Sequence, residues 1–141
     1  NIISAFHRYD MVRLAIKENK RFEISNIEIK RKGRSYLIDT LRQLRKNYPK
    51  AKLFFISGSD VSDQMSKWKS INEILTLCKF VLAKRPGYQL KKYNKNIMVI
   101  SITELDISSS MIRRKIRNNQ SVRYLMPVNI YKYIKENRLY K

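Results

Sequence analysis

Three short apolar runs, at residues 53–56, 80–83 and 97–100, constrain the fold of this 141-residue chain more than any other feature. Each is a near-continuous hydrophobic stretch bounded by polar or turn-forming residues. That is the mark of a strand buried on both faces, as in a mainly parallel sheet. Helical patterns lie around them. Residues 7–17 place Met11, Leu14 and Ala15 on one face. Ser35 is placed to cap a helix whose apolar stripe is Leu37, Leu41, Leu44 and Tyr48, and Pro49 stops it. A loop through Lys67-Trp68-Lys69 leads to a short helix at 71–77. Further helices are expected at 108–118 and from Pro127 onward, the latter turning Val128, Tyr131 and Ile134 inward. Residues 22–29 read as another strand, with Ile27 and Ile29 alternating with Asn26 and Glu28, and Gly33 in the turn beyond. Strands alternating with helices define an α/β layered fold. No internal repeat, low-complexity segment or linker interrupts it, so residues 1–141 are expected to form a single domain.

In such sheets ligands bind beyond the carboxyl ends of the strands. Ser57-Gly58-Ser59-Asp60 reads as a tight turn, and Arg85-Pro86-Gly87-Tyr88 suits a type II turn. With Ser108-Ser109-Ser110, these polar loops are expected to converge on one rim. The last of them carries the strongest chemical signal, Asp106-Ile107-Ser108-Ser109-Ser110-Met111-Ile112-Arg113. A serine hydroxyl accepts a bond from an unpaired N–H at a helix start. The remaining N–H groups and the positive end of the helix dipole attract anions. Ser109 and Arg113 are four apart and share a helix face. A guanidinium there can hold two phosphate oxygens at once. An ordinary capped surface helix has the same local pattern, so the motif needs support from the rest of the chain.

The formal net charge is +20 and the pI near 10.3, which suits a polyanionic or phosphorylated partner. The basic residues are spread along the chain rather than gathered in one arm, which points away from nucleic acid. The same richness in Lys, Asn, Ile and Tyr is what an AT-biased genome writes. No apolar stretch reaches membrane-spanning length and no signal peptide is evident, so neither a membrane partner nor secretion is expected. The single cysteine, Cys78, has no internal disulfide partner and sits among apolar residues. It reads as a buried small hydrophobe in a reducing, cytoplasmic setting.

A longer set of residues resembles one family, the bacterial nicotinate-nucleotide adenylyltransferases of the HIGH-type nucleotidyltransferase superfamily. It begins with His7-Arg8, Met11 and Leu14-Ala15-Ile16, then Ile27-Glu28-Ile29, Gly33, Ser35-Tyr36 and Ile38-Asp39-Thr40-Leu41. It continues with Phe55-Ile56, Gly58-Ser59-Asp60, Lys67-Trp68, Phe80-Val81 and Lys84-Arg85-Pro86-Gly87-Tyr88. It closes with the serine-started helix, Tyr124-Leu125-Met126-Pro127, Tyr133-Ile134 and Leu139-Tyr140. The serine helix is shared across the superfamily. The Ser-Tyr-x-Ile-Asp-Thr, Gly-x-Asp and Lys-Arg-Pro-Gly-Tyr segments are more specific.

The resemblance implies a Rossmann-like nucleotidyltransferase fold, a parallel sheet with helices on both faces. It implies transfer of AMP from ATP to nicotinate mononucleotide, giving deamido-NAD and pyrophosphate, with Mg²⁺ bound through substrate phosphates. Ser108, Ser109 and Arg113 match the ATP-phosphate segment. Asp60 matches the carboxylate that holds ribose hydroxyls, and Trp68 the aromatic near the nicotinate ring. Ser35, Tyr36 and Leu37 match the segment flanking the nicotinate carboxylate, with Leu37 where relatives usually carry Thr. On local grounds alone Trp68 is equally a surface-loop anchor, Asp60 a helix cap and Tyr36 a core residue. The family's His-x-Gly-His pair is absent, since His7 is the only histidine. The resemblance therefore implies that the first βα unit, about 30 residues or more, is missing. No catalytic residue or protein metal ligand is then expected in this chain, and the fragment is expected to be inactive. Two alternatives remain open: a relative using pantetheine phosphate or nicotinamide mononucleotide, and a basic RNA-binding module. Oligomeric state is not readable from the sequence.

Overall fold

The computed structural model describes residues 2–84, 97–103 and 105–141, and every side chain among them except that of Asp60. The Arg85-Pro86-Gly87-Tyr88 turn lies outside the described residues. The chain divides into two compact units. A sheet unit spans Arg31–Glu104, and a terminal unit combines Asn1–Lys30 with Leu105–Lys141.

The sheet unit begins with α2 (Leu37–Asn47) and β1 (Phe54–Gly58). A 3₁₀ segment (Ser59–Lys67), α3 (Ile71–Leu77), β2 (Lys79–Lys84) and β3 (Ile97–Ser101) follow. The strands form one parallel sheet in the order β1-β2-β3. Phe54 pairs with Lys79 and Gly58 with Ala83, then Phe80 with Ile97 and Lys84 with Ser101. A parallel pair needs a crossover, which the 3₁₀ segment and α3 supply between β1 and β2. The middle strand is the buried one: Phe80 and Leu82 are fully covered and Val81 nearly so. Ile38 and Leu41 of α2, Met65, Ile74 of α3 and Cys78 complete the core around Phe80 and Leu82.

Arginines brace this unit. Arg42 of α2 donates two 2.7 Å bonds to the Glu73 carboxylate of α3. Two parallel charge-assisted bonds fix direction as well as distance. That pairing holds the Glu73 carboxyl below the usual carboxylate range and raises the Arg42 guanidinium. Arg45 donates to Ala51 O at 2.6 Å and Leu77 O at 2.8 Å, covering carbonyls at the end of α3 and in the turn after α2. Cys78 is buried as expected, and burial pushes its thiol up.

The terminal unit holds α1 (Ala5–Ile16), α4 (Ser109–Arg117) and α5 (Val128–Glu136). Ser4 caps α1, its Oγ accepting from His7 N at 3.3 Å. Helices α1 and α5 pack together through polar bonds. The Tyr133 hydroxyl meets His7 Nδ1 at 2.8 Å and donates to Asp10 Oδ2 at 3.3 Å, while Asn129 Nδ2 donates to Leu14 O at 2.8 Å. Val122, Ile134 and Leu139 are its buried apolar residues.

Several expectations need correction. Residues 22–29 form no strand. Lys30 N bonds Asn26 O at 3.0 Å, closing a turn, and Phe22 is 62% exposed. Two alternating isoleucines are too short a signal without a neighbouring strand to pair with. The outer strands are not buried on both faces. In β1 burial alternates, leaving Phe54 52% and Ile56 67% exposed, and in β3 Met98 is 45% exposed. An apolar run reads alike in a middle and an outer strand; only the neighbours differ. The tight turn expected after Ser57 is instead the end of β1 and the start of the 3₁₀ segment. Ser35 does not cap α2: Tyr36 occupies the cap position without a side-chain bond. Tyr48 ends exposed while Ile38 is fully buried, so the buried face of α2 is rotated from the expected stripe. Val128 is exposed at the start of α5, where Ile134 alone of the expected trio is fully inside.

Candidate functional site

Each unit carries a cavity built from residues of interest. In the sheet unit, a cavity of about 340 Å³ is lined by Ser35, Tyr36, Leu37, Lys67, Trp68, Lys69 and Ile74. Its aromatic wall is set by core packing. Trp68 sits 5.7 Å from Phe80 and 6.1 Å from Phe55, and Phe55 lies 4.8 Å from Phe80, centroid to centroid. Edge and tilted aromatic pairs at these distances fix ring orientation. Trp68 N donates to Met65 O at 3.0 Å, which closes the 3₁₀ segment and delivers the indole to that cluster. Opposite in sequence, Tyr36 is in extended backbone just before α2, so Leu37 opens the helix with N–H groups that lack intrahelical partners. Lys69 Nζ lies over the Tyr36 ring, 4.6 Å from its centroid. Arg31 donates to both Ser35 Oγ and Thr40 Oγ1, tying the segment before α2 to its first turn.

The cavity thus gathers Ser35, Tyr36, Leu37 and Trp68, four residues that the sequence singles out. Asp60 follows β1 at the start of the 3₁₀ segment, and its side chain lies outside the description. Ser59 beside it is fully buried. Lys67, Lys69 and Ile74 are lining residues that sequence reasoning missed. The lysines flank Trp68 directly, and that adjacency was the available signal.

In the terminal unit, a cavity of the same size, about 340 Å³, is lined by Ile2, Ile3, Arg8, Arg113, Arg117 and Tyr140. No carboxylate is among these residues. Ser108 caps α4, its Oγ accepting from Met111 N at 3.1 Å, as the serine run predicts. Arg113 reaches back to Ser110 Oγ at 3.0 Å rather than to Ser109. Arg8 Nη1 donates to Ile3 O at 2.6 Å. Ser109 is the first helical residue and Arg113 lies one turn on. Arg117 was missed, although its place four residues beyond Arg113 puts it on the same face. Three guanidiniums around one cavity form a receptor for a multiply charged anion. Among the described residues, no group of three or more His, Cys, Asp or Glu side chains could hold a metal ion. Nor is any helix there long and apolar enough to cross a membrane.

Comparison with known proteins places this geometry in a class. The Cytidylyltransferase-like family model matches residues 1–115. A probable nicotinate-nucleotide adenylyltransferase from Clostridium acetobutylicum is 42% identical over 144 residues, covering 94% of this chain and 72% of the relative. The nicotinate-nucleotide adenylyltransferase of Bacillus subtilis is 36% identical, covering 97% of this chain and 72% of that protein. Among solved structures, the Plasmodium falciparum nicotinic acid mononucleotide adenylyltransferase complexed with APC matches with a TM-score of 0.80. It is 18% identical, with 99% of this chain and 77% of that one covered, so the likeness is one of fold. The chain belongs to the cytidylyltransferase-like proteins and, within them, to the nicotinate-nucleotide adenylyltransferase family. Its parallel sheet with flanking helices is the Rossmann-like nucleotidyltransferase fold.

Proposed function

We propose that the chain serves transfer of AMP from ATP to nicotinate mononucleotide, forming deamido-NAD and pyrophosphate. The observation that carries this reading is the aromatic cavity of the sheet unit, which is lined together by Ser35, Tyr36, Leu37 and Trp68. A flat pyridine ring suits an indole wall, and a carboxylate suits the open N–H groups at the start of α2. Asp60 would hold the ribose hydroxyls of the same nucleotide. The arginine cavity of the terminal unit, with Ser108 and Ser109 at the head of α4, would take the ATP phosphates.

The chemistry needs no protein nucleophile. A phosphate oxygen of the mononucleotide attacks the α-phosphorus of ATP in line, and the bond to the leaving pyrophosphate breaks. Positioning and charge neutralisation carry such a reaction. Arg113, Arg117 and Arg8 would neutralise and orient the phosphates, and the aromatic cavity would orient the acceptor. Nucleotidyltransferases of this family generally use a divalent metal. Here Mg²⁺ held through the substrate phosphates would fill that role. A cytoplasmic setting accompanies this reading, and nucleic acid has no part in it.

Binding tests it directly. Trp68 is the sole tryptophan, so its fluorescence reports on its own cavity. Nicotinate mononucleotide is expected to quench it saturably, and ATP to bind with calorimetric heat that Arg113→Ala reduces. A chain that binds neither nucleotide would refute the assignment.

A further inference from the structure

The cavity around Trp68 carries a positive charge that stacking alone does not use. Lys67 and Lys69 both line it, and no acidic side chain does. Lys69 is held: its ammonium lies 4.6 Å from the centroid of the Tyr36 ring. A cation over an aromatic face gives up part of its rotamer freedom before any ligand arrives. Tyr36 is also the residue from which α2 starts, and it caps that helix with no side-chain bond. The helix start at Leu37 and the tethered ammonium therefore line the same cavity.

We propose that Lys69 is a specificity-determining residue whose ammonium reads the pyridine carboxylate, separating the acid from the amide. The inference rests on the nicotinate mononucleotide reading above. Backbone N–H groups alone discriminate weakly, because a carboxylate oxygen and an amide oxygen both accept. Net charge separates the two ligands, and Leu37 supplies no hydroxyl to help. Lys69 adds the missing term: it attracts the carboxylate of the zwitterionic nicotinate ring and is repelled by the cationic nicotinamide ring. Its side chain is exposed, so water and salt weaken the attraction. The expected contribution is about three- to tenfold in affinity for the acid, less than a buried charge pair would give.

Titrations of Trp68 fluorescence with nicotinate mononucleotide and with nicotinamide mononucleotide, on the 141-residue chain, test this. Lys69→Met keeps the apolar stem and removes the charge. It is expected to weaken the acid by that factor and leave the amide unchanged or slightly tighter, while Lys69→Arg retains the preference. Lys67→Met leaves the Lys69–Tyr36 contact in place and is expected to have the smaller effect. Raising salt from about 0.01 M to about 0.1 M, where the screening length falls from about 30 Å to about 10 Å, should narrow the wild-type preference more than that of Lys69→Met. Equal losses for both ligands would make Lys69 a structural residue and overturn the proposal. So would an unchanged acid affinity, or a larger loss in Lys67→Met. If the wild-type chain binds neither mononucleotide, the nicotinate reading itself falls and takes this one with it. If it binds both and only the ratio ignores Lys69, this inference alone fails.

Discussion

The sheet unit and the terminal unit each enclose a cavity of about 340 Å³, yet the linings have little in common. One is an aromatic slot whose indole leans on Phe55 and Phe80, at the edge of a closely packed core. The other is a ring of arginines, two on α4 and one on α1, the latter helix meeting α5 through Tyr133, His7, Asp10 and Asn129. Equal volume with opposite lining shows that size does not say what a cavity takes. Phe80 and its neighbours hold the first in shape by exclusion of water. Hydrogen bonds and helix capping hold the second.

The largest expected effect concerns chemistry rather than binding. If two cavities were enough, the 141-residue chain would turn over. We expect no measurable deamido-NAD from ATP and nicotinate mononucleotide. The sole histidine of these 141 residues, His7, is already bonded to Tyr133, and doing without a transition-state donor costs about 10²–10³ in rate. Turnover near that of the family's enzymes would show that the arginines suffice.

Next comes the core beneath the aromatic slot. Phe80→Ala should destabilise the chain by about 3–5 kcal/mol, the usual cost of emptying a fully buried phenylalanine site. Denaturant midpoints measure it, and a shifted Trp68 emission in the folded mutant would tie the loss to the slot. Arg113→Ala strikes the other cavity. ATP affinity should fall by the worth of a charge-assisted bond, about 1.5–3 kcal/mol, while mononucleotide quenching of Trp68 stays as it was. A parallel loss of both would break the contrast between the two sites. Leu37→Thr is subtler. A hydroxyl donor at the mouth of α2 should tighten the acid by about 0.5–1.5 kcal/mol and widen the acid-to-amide ratio. No change would leave the site intact and remove Leu37 from the account of selectivity.

The smallest effect is one of pH. The Glu73 carboxyl is held below its ordinary range by Arg42, so its folded form releases its proton more readily than the unfolded chain does. That contribution is present above the ordinary carboxylate value and is lost as pH falls through the lowered one. Thermal midpoints of wild type and Glu73→Gln should therefore converge at acid pH and separate toward neutrality. Parallel curves would show the bond to be idle in solution.

Much of the fold was legible because its elements are short and strongly patterned. The three apolar runs became β1, β2 and β3, and α3 falls where Ile71 to Leu77 were expected. The serine run capped α4 as read, because a cap is a local event. What the sequence hid depends on neighbours. Phe54 and Ile56 look as apolar as Phe80 and Leu82, and only position in the sheet separates exposed from buried. Arg31 holding Thr40, and Lys69 lying over Tyr36, are contacts across nine or more residues, which periodicity does not address. Family resemblance gave roles to four residues of the aromatic slot; the place of its charged members in the lining became apparent only from geometry.

The exposed faces of β1 and β3 have a consequence for how the protein behaves in bulk. Phe54, Ile56, Met98 and Val99 offer adhesive surface, while a net charge of +20 drives copies apart. Those two forces respond differently to electrolyte. Near 0.01 M ionic strength repulsion reaches about 30 Å and outranges contact adhesion; near 1 M it reaches about 3 Å and does not. The chain should therefore stay dispersed in dilute buffer and cluster as salt rises, with light scattering marking the crossover and Ile56→Lys moving it to higher salt.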